Sequence, residues 1–269
     1  MGEGRAGQRT RAPQSVLAVD VGNSVTNLGL FEAGELTATW TATTYERMTA
    51  DEVRVRISSF LATLDNPVSV DDGIVASVVP GLTDAWTAAV KSLTGRRPVV
   101  VGPGLKTGVK MRYNDPGELG ADRVADLAAA KAAYEPPFLV VDLGTTTNFE
   151  VVDAEGVFVG GIIAPGLKLS ARAVSDAAAQ LAVVDLRTPA SVIGKNTREA
   201  MQSGVVIGEV ARIDGLVDAV WRELGYQTTV VATGEDAQTM AALSQRVTCV
   251  DEHLTLRGLG ILHDLNRRC

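Results

Sequence analysis

The sequence predicts an α/β protein built from two similar halves, because one short pattern occurs twice within its 269 residues. In the first copy the apolar run Val16–Val19 is followed by Asp20, one further residue and a glycine. In the second copy Leu139–Val141 is followed by Asp142, one further residue and a glycine. Such runs predict buried strands, and glycine with small polar residues predicts a tight turn into a second strand. The sequence therefore predicts one β-hairpin near the start of each half.

The remaining segments of the first half alternate between strand and helix patterns. Their predicted order is β-β-β-α-β-α-β, which suits a sheet covered by helices. Thr49 followed by two acidic residues predicts a capped helix start, and Pro80–Gly81 is expected to close a strand. After the first strand, the predicted elements of this half are strands Leu28–Phe31 and Leu36–Thr43, a helix from about Thr49 to Leu64, strand Gly73–Val79, helix Thr83–Leu93 and strand Pro98–Val101.

Both hairpin turns carry groups that suit phosphate. Asn23, Ser24 and Thr26 offer small hydrogen-bonding groups in the first turn, and the adjacent glycine lets backbone N–H groups approach a ligand closely. The carboxylate of Asp20 is placed to hold a metal-bound water. Either hairpin alone can equally be an ordinary polar turn, but the repeat favours a nucleotide bound between two halves. This plan resembles the superfamily of acetate and sugar kinases, heat-shock ATPases and actin, with two ribonuclease-H-like halves and nucleotide in the cleft between them.

The chain is expected to divide into three parts. Residues 1–14 are rich in Gly, Arg and Gln and lack the apolar core of a signal peptide, which predicts a disordered arm. Residues 15–135 and 136–269 are the two predicted halves, which are expected to meet near Tyr134–Pro137, where Pro136–Pro137 ends the preceding helix. In the second half the predicted elements are strand Phe149–Val152, helix Leu169–Gln180, a long helix from about Glu199 to Leu224, strand Thr229–Thr233 and helix Leu254–Leu265.

Composition narrows the range of partners. The formal net charge is −7, and no long basic block lies outside the N-terminus, which argues against nucleic acid as the main partner. No apolar run approaches membrane-spanning length, so no membrane partner is expected. Cys249 and Cys269 show no metal-binding spacing, and two cysteines fit a reducing cytoplasm.

A polar segment rich in glycine and proline, Tyr113–Arg123, leads into a predicted helix Val124–Tyr134. A helix N-terminus favours anions. Arg123 can hold a carboxylate through a bidentate pair, and Asp122 can accept a proton. The alternative, favoured on this segment alone, makes Asp122 a partner of the helix dipole and Arg123 a surface charge.

Five motifs in order make the resemblance more specific. Together they resemble the type III pantothenate kinase family over about residues 16 to 265, and the Gly-Ala-Asp-Arg segment is the most specific of them. The motifs are Asp20–Asn23, Asn114–Arg123, Asp142–Thr145, Gly160–Gly166 and Gly194–Thr197.

The resemblance implies ATP-dependent phosphorylation of the primary hydroxyl of pantothenate, the first step towards coenzyme A. It also implies Mg²⁺, a monovalent cation (potassium or ammonium) and a homodimer. Asp122 matches the general base, and Asp142 matches the monovalent-cation ligand. The implied ATP contacts are Asp20, Val21, Gly22, Asn23, Ser24, Val25, Thr26, Asn27 and Thr145. The implied pantothenate contacts are Tyr113, Gly120, Ala121, Arg123 and Thr197.

Five positions depart from the usual family pattern. Ser24 replaces Thr and keeps the hydroxyl. Thr146 replaces Ala, and Asn148 replaces Thr with another hydrogen-bonding group of different shape. Glu150 replaces Asp, and its extra methylene is expected to bear on a phosphate or metal-water contact. Glu235 replaces a glycine beside the nucleotide and bears on adenine or ribose fit.

Three other functions remain open at the level of sequence. The first is a related kinase acting on another small hydroxyl compound, motivated by the changes in the second hairpin. The second is a catalytically weak regulatory or accessory protein, against which the intact Asp122 argues. The third is a polyphosphate or nucleotide phosphatase, which has no need of the Gly-Ala-Asp-Arg loop. For Thr197 the alternative to a substrate contact is a structural role, as the N-cap of the helix that follows it.

Overall fold

The computed structural model describes residues 15–177 and 186–267. The predicted arm at residues 1–14, the end of the predicted helix Leu169–Gln180 and Cys269 lie outside the described residues. Contacts divide the chain into two compact units that alternate along the sequence. The described part of the first unit is residues 15–107, 120–122 and 259–267, and that of the second is residues 108–119 and 123–258 without the gap. The contiguous halves 15–135 and 136–269 stay a prediction.

The first unit contains the predicted order of three strands, a helix, a strand, a helix and a strand. Its elements are β1 (Ser15–Val21), β2 (Val25–Glu32), β3 (Glu35–Thr43), α1 (Ala50–Leu61), β4 (Asp72–Ser77), α2 (Pro80–Thr94) and β5 (Val99–Val100).

The first sheet has the strand order β3-β2-β1-β4-β5. Strand β1 is antiparallel to β2 and parallel to β4, and all seven of its residues are buried. A strand covered on both faces needs a continuous apolar run, which explains why β1 has no alternating pattern. Leu17, Val19, Ile57, Val75 and Trp86 belong to the buried core of this unit, which α1 and α2 help to form.

The two helices of the first unit start differently. Thr49 caps α1 in a capping box with Glu52, as its sequence predicts, and the backbone and side chain of Thr49 lower the pKa of Glu52. The expectation that Pro80–Gly81 closes a strand is wrong. Pro80 instead begins α2, because proline lacks the N–H that would have no partner in the first helical turn.

The second unit is built around a larger mixed sheet. Its elements are β6 (Lys110–Met111), a 3-10 turn (Pro116–Glu118), β7 (Phe138–Leu143), β8 (Thr146–Val152), β9 (Val157–Pro165), α4 (Leu167–Ala177), α5 (Thr197–Gln202), a π-helical turn (Ser203–Ile207), α6 (Gly208–Leu224), β10 (Thr229–Thr233), α7 (Ala237–Ala241) and β11 (Cys249–Val250). Two further helices, α3 (Ala121–Ala133) and α8 (Leu254–Asn266), contribute residues to both units.

The strand order of the second sheet is β11-β10-β7-β8-β9-β6. The central strand β7 is parallel to β10 and antiparallel to β8, so its two neighbours repeat the arrangement around β1. Leu139, Val141, Phe149, Ile213 and Val230 are fully buried members of its core. The repeated hairpin predicted from the sequence is therefore confirmed in both units.

The predicted helix from Glu199 to Leu224 consists of three consecutive helical pieces. A π-helical turn over Ser203–Ile207 joins α5 to α6. The side chain of Asn196 accepts the Glu199 N–H and caps α5, so Thr197 is the first helical residue rather than the cap. Among the described residues no helix is both long enough and apolar enough to span a membrane.

Candidate active site

The first hairpin connects β1 to β2 at the carboxyl end of β1. Asp20 and Val21 end β1, Gly22, Asn23 and Ser24 form the turn, and Val25, Thr26 and Asn27 begin β2. The Gly22 N–H donates to the Val25 carbonyl at 3.0 Å, and the Thr44 N–H donates to the Ser24 carbonyl at 3.0 Å. The turn is therefore held both to itself and to the chain after β3, while Asn23 and Ser24 stay exposed.

Asp20 is the buried acid of this hairpin, with 8% of its surface exposed. The pKa of Asp20 is raised to about 7. Burial is the largest cause, the nearby negative charge of Asp122 adds to it, and a hydrogen bond from the Asn27 side chain opposes the rise. Asp122 is the second residue of α3, which begins three residues before the predicted start at Val124. The first unit thus places two sequence-predicted acids, Asp20 and Asp122, within electrostatic reach of each other.

Arg123, the next residue along α3, packs in the second unit. Its Nε donates to Glu150 Oε1 at 2.7 Å, and the side chains of Arg123 and Glu150 are 7% and 0% exposed. Burial alone would lower the pKa of Arg123, but the charge and hydrogen bond of Glu150, with a further contribution from Tyr113, raise it above its usual value. Tyr113 also packs against Phe158, with ring centroids 5.5 Å apart.

The strand register explains how this ion pair fits. Glu150 on β8 lies opposite Gly161 on β9. A Cβ atom on Gly161 would lie 2.4 Å from Arg123 Nη2, so a larger residue there would displace the guanidinium. The structure therefore gives Glu150 a different contact from the phosphate or metal-water contact considered from the sequence. Its carboxylate holds Arg123, and its longer side chain is part of that pair.

The second hairpin connects β7 to β8. Asp142 lies in β7, partly buried, and Thr145 lies exposed in the turn. The Gly144 N–H donates to the Thr146 carbonyl at 3.1 Å, which closes the turn as in the first hairpin. A Cβ atom on Gly234, after β10, would lie 2.7 Å from Asp142 Oδ1. Glycine at 234 therefore lets the loop after β10 approach the Asp142 carboxylate closely.

A buried polar network supports the second hairpin from α6. Thr147 Oγ1 donates to Glu209 Oε1 at 2.6 Å, and Arg212 pairs with Glu209 and donates to the Pro165 carbonyl. Burial raises the pKa of Glu209, while Thr147 and Arg212 oppose that rise. Sequence reasoning missed these residues. The available signal was a single acid, Glu209, within the otherwise apolar buried face of a helix.

Two other sequence-predicted positions, Glu235 and Thr197, lie at the surface of the second unit. Glu235 forms an exposed ion pair with Lys168, whose Nζ lies 2.6 Å from Glu235 Oε1. Burial raises the pKa of the neighbouring Asp236; Lys168 opposes this rise and Glu235 adds to it. Thr197 is exposed at the start of α5. Gly120 directly precedes α3, and Ala121 is its first residue.

Solved structures resemble this chain in fold. MreB 5 of Spiroplasma citri bound to AMPPNP aligns with a TM-score of 0.54 at 12% identity, covering 94% of this chain and 97% of that one. A Baf family transcriptional activator from Campylobacter jejuni aligns with a TM-score of 0.56 at 20% identity, covering 93% and 98%. The chain thus has the same α/β fold as these two proteins, and the predicted α/β fold class is confirmed.

Sequence comparison identifies the family within that class. The family model described as type III pantothenate kinase matches residues 16–219. A type III pantothenate kinase of Anaeromyxobacter dehalogenans is 41% identical over 253 residues, which cover 94% of this chain and 100% of the relative. One of Dehalococcoides mccartyi is 38% identical over 255 residues, covering 94% and 99%. The chain belongs to the type III pantothenate kinase family, and the predicted resemblance is confirmed.

The raised pKa of Asp20 leads to a prediction about stability. Between about pH 4 and pH 7 the folded state holds a proton that the unfolded chain releases, so this group makes the protein less stable as pH rises. We expect Asp20→Asn to remove that loss and to be more stable than the wild type at pH 8, by at most about 4 kcal/mol, with no gain near pH 4. Urea denaturation in EDTA at both pH values measures the difference. Asp65→Asn, an exposed acid, is the control, and an unchanged pH dependence in Asp20→Asn would contradict the assignment.

The buried Arg123–Glu150 pair leads to a second prediction about stability. Glu150→Gln keeps the shape but leaves the Arg123 charge buried without its partner carboxylate, so we expect a loss of about 3–5 kcal/mol in the free energy of unfolding. Glu235→Gln makes the same chemical change in an exposed ion pair and should cost less than about 1 kcal/mol. Equal losses in the two variants, measured by urea denaturation, would rule out the special cost of the buried pair.

Proposed function

We propose that this chain transfers the γ-phosphoryl group of ATP to the primary hydroxyl of pantothenate, producing 4′-phosphopantothenate in the first step of coenzyme A biosynthesis. The observation that carries the proposal is the acid pair of Asp20 and Asp122, found within the residues that match the family. Near full-length relatives with this family name support the reaction and the substrate. The reaction class is phosphotransfer to an alcohol.

Asp122 is the proposed general base. A neutral alcohol must lose its proton as it attacks the γ-phosphorus, and a carboxylate within reach of the hydroxyl can accept that proton. The position of Asp122 at the second residue of α3 keeps its charge near the positive end of the helix dipole. We assign pantothenate binding to Tyr113, Gly120, Ala121 and Arg123, with Glu150 fixing the orientation of Arg123.

The first hairpin is the proposed phosphate site. Asp20 Oδ1 is buried and has no hydrogen-bond partner among the described residues, so the site fits a cation or its bound water. Asp20 would hold Mg²⁺, which when bound neutralises charge on the phosphates. A cation at Asp20 would also favour its ionised form, against the effects of burial and Asp122. The proposed ATP contacts are residues 20–27 and Thr145.

Asp142 is the proposed ligand of a monovalent cation, potassium or ammonium. The close approach of the Gly234 backbone to Asp142 Oδ1 fits a site that a side chain at 234 would obstruct. In the same proposal the enzyme is a cytoplasmic homodimer, and exposed Thr197 at the start of α5 contacts substrate bound to the partner subunit.

The function is tested by a coupled ADP-release assay of the purified protein with pantothenate and a panel of other hydroxyl compounds. Pantothenate-dependent release supports the proposal, and release that needs no acceptor would favour a phosphatase.

We expect Asp122→Asn to lower turnover by about two to four decades, because it keeps the shape of the side chain and removes the base. Asp84→Asn, an exposed acid of the same unit, should retain wild-type turnover. A near wild-type rate in Asp122→Asn would exclude Asp122 as the base.

The cation proposal predicts faster turnover in potassium or ammonium than in sodium at constant ionic strength. Asp142→Ala should abolish this selectivity and most of the activity, because the carboxylate is the proposed ligand. Steady-state rates in each chloride salt measure the effect, with choline chloride as the reference for ionic strength. Equal wild-type rates in sodium and potassium would remove Asp142 from this role.

A further inference from the structure

A cavity of about 610 Å³ lies in the first unit, beside the edge strand β5. Its lining comes from the start of β4, the segment from Arg96 to Val100, the loop Gly102–Leu105 and the residues Asn266 and Arg267 at the end of α8. The volume lies within the range of small-molecule pockets.

This cavity is separate from the first hairpin. In the register of β1 and β4, Asp72 at the cavity pairs with Val16, whereas Asp20 pairs with Ala76. Four residues along a strand correspond to roughly 13 Å. Asp72 therefore lies towards the amino end of these parallel strands, and the proposed phosphate hairpin lies at their carboxyl end.

The cavity concentrates positive charge in an acidic chain. Arg96, Arg97 and Arg267 line it against a single acid, Asp72, although the net charge of the whole chain is −7. Among the described residues, Arg96 and Arg97 form no ion pair, and Arg267 has only a 3.6 Å pair with exposed Asp264.

The lone acid of the cavity has other partners. Asp72 Oδ1 accepts the Gly73 N–H at 2.8 Å, and Asp72 Oδ2 lies 3.4 Å from Nε2 of the buried His263. The Asp72 carboxylate is thus engaged by its own strand and by α8, which leaves the guanidinium groups to meet an anion from outside.

Local hydrogen bonds hold the walls in place. The Asn266 side chain accepts the Lys106 N–H at 2.9 Å and donates to the Lys106 carbonyl at 2.8 Å, which ties α8 to the loop. Thr94 Oγ1 accepts the Arg96 N–H at 3.1 Å and donates to the Arg96 carbonyl at 3.0 Å. A wall that is ordered before binding lowers the entropic cost of binding.

From these observations we infer that the cavity is a second anion site, for a compact small molecule that carries two or more phosphate groups. Guanidinium groups bind phosphate oxygens through paired N–H donors, and several of them in one concave site favour a multiply charged ligand. The site is independent of phosphoryl transfer and of the residues assigned to it.

Inorganic tripolyphosphate is the probe, and isothermal titration calorimetry without Mg²⁺ is the measurement. We expect Arg96→Ala/Arg97→Ala to weaken binding at least tenfold, and Arg267→Ala alone to weaken it about threefold or more. Arg54→Ala/Arg56→Ala removes two charges from α1 of the same unit and should change the Kd by less than twofold. If the double variant fails to fold, the single variant Arg267→Ala still tests the role of the cavity.

Three results would overturn the inference. They are the absence of tripolyphosphate binding to the wild type at millimolar concentration, unchanged binding in the cavity variants, and equal weakening in the α1 control, which would indicate a general charge effect. Because the readout is binding, it is independent of whether pantothenate is phosphorylated.

Discussion

The burial of the Asp20 carboxylate at the end of β1 is the constraint on which the candidate site depends. A carboxylate held away from water is costly unless it is paired, protonated or bound to a cation. Here the compensation within the protein is partial, because Asn27 donates to it while Asp122 brings a second negative charge close. The fold thus leaves negative charge at this site that a bound cation would neutralise.

In the second unit the buried carboxylates are compensated by ion pairs with arginine side chains. Glu150 is compensated by Arg123, and Glu209 by Thr147 and Arg212, so the polar groups around β8 are held from both sides of the sheet. These pairs fix the positions of Thr147 and Glu150, two β8 residues of the second hairpin. The two hairpins share a backbone plan but differ in the partners of the buried acids around them.

Much of this could be predicted from the sequence, because the signals are local. The repeated Asp-x-Gly pattern predicts both hairpins, and the Thr49 capping signal predicts the start of α1. The contacts of Glu150 and Glu209 could not be read in this way, since they join residues 27 and 62 positions apart and depend on strand register and helix facing. The prediction for Pro80 is wrong because proline suits both the end of a strand and the first turn of a helix.

The most direct test of this account is the pKa of Asp20 itself, measured by ¹³C NMR titration of the side-chain carboxyl groups in the metal-free protein. The Asp20→Asn spectrum assigns the resonance, and Asp122→Asn should lower the measured pKa by removing the neighbouring charge. The account predicts a midpoint of about 7 in the wild type. A midpoint near 4, the ordinary value for aspartate, would contradict the claim that the fold buries this carboxylate beside a second acid.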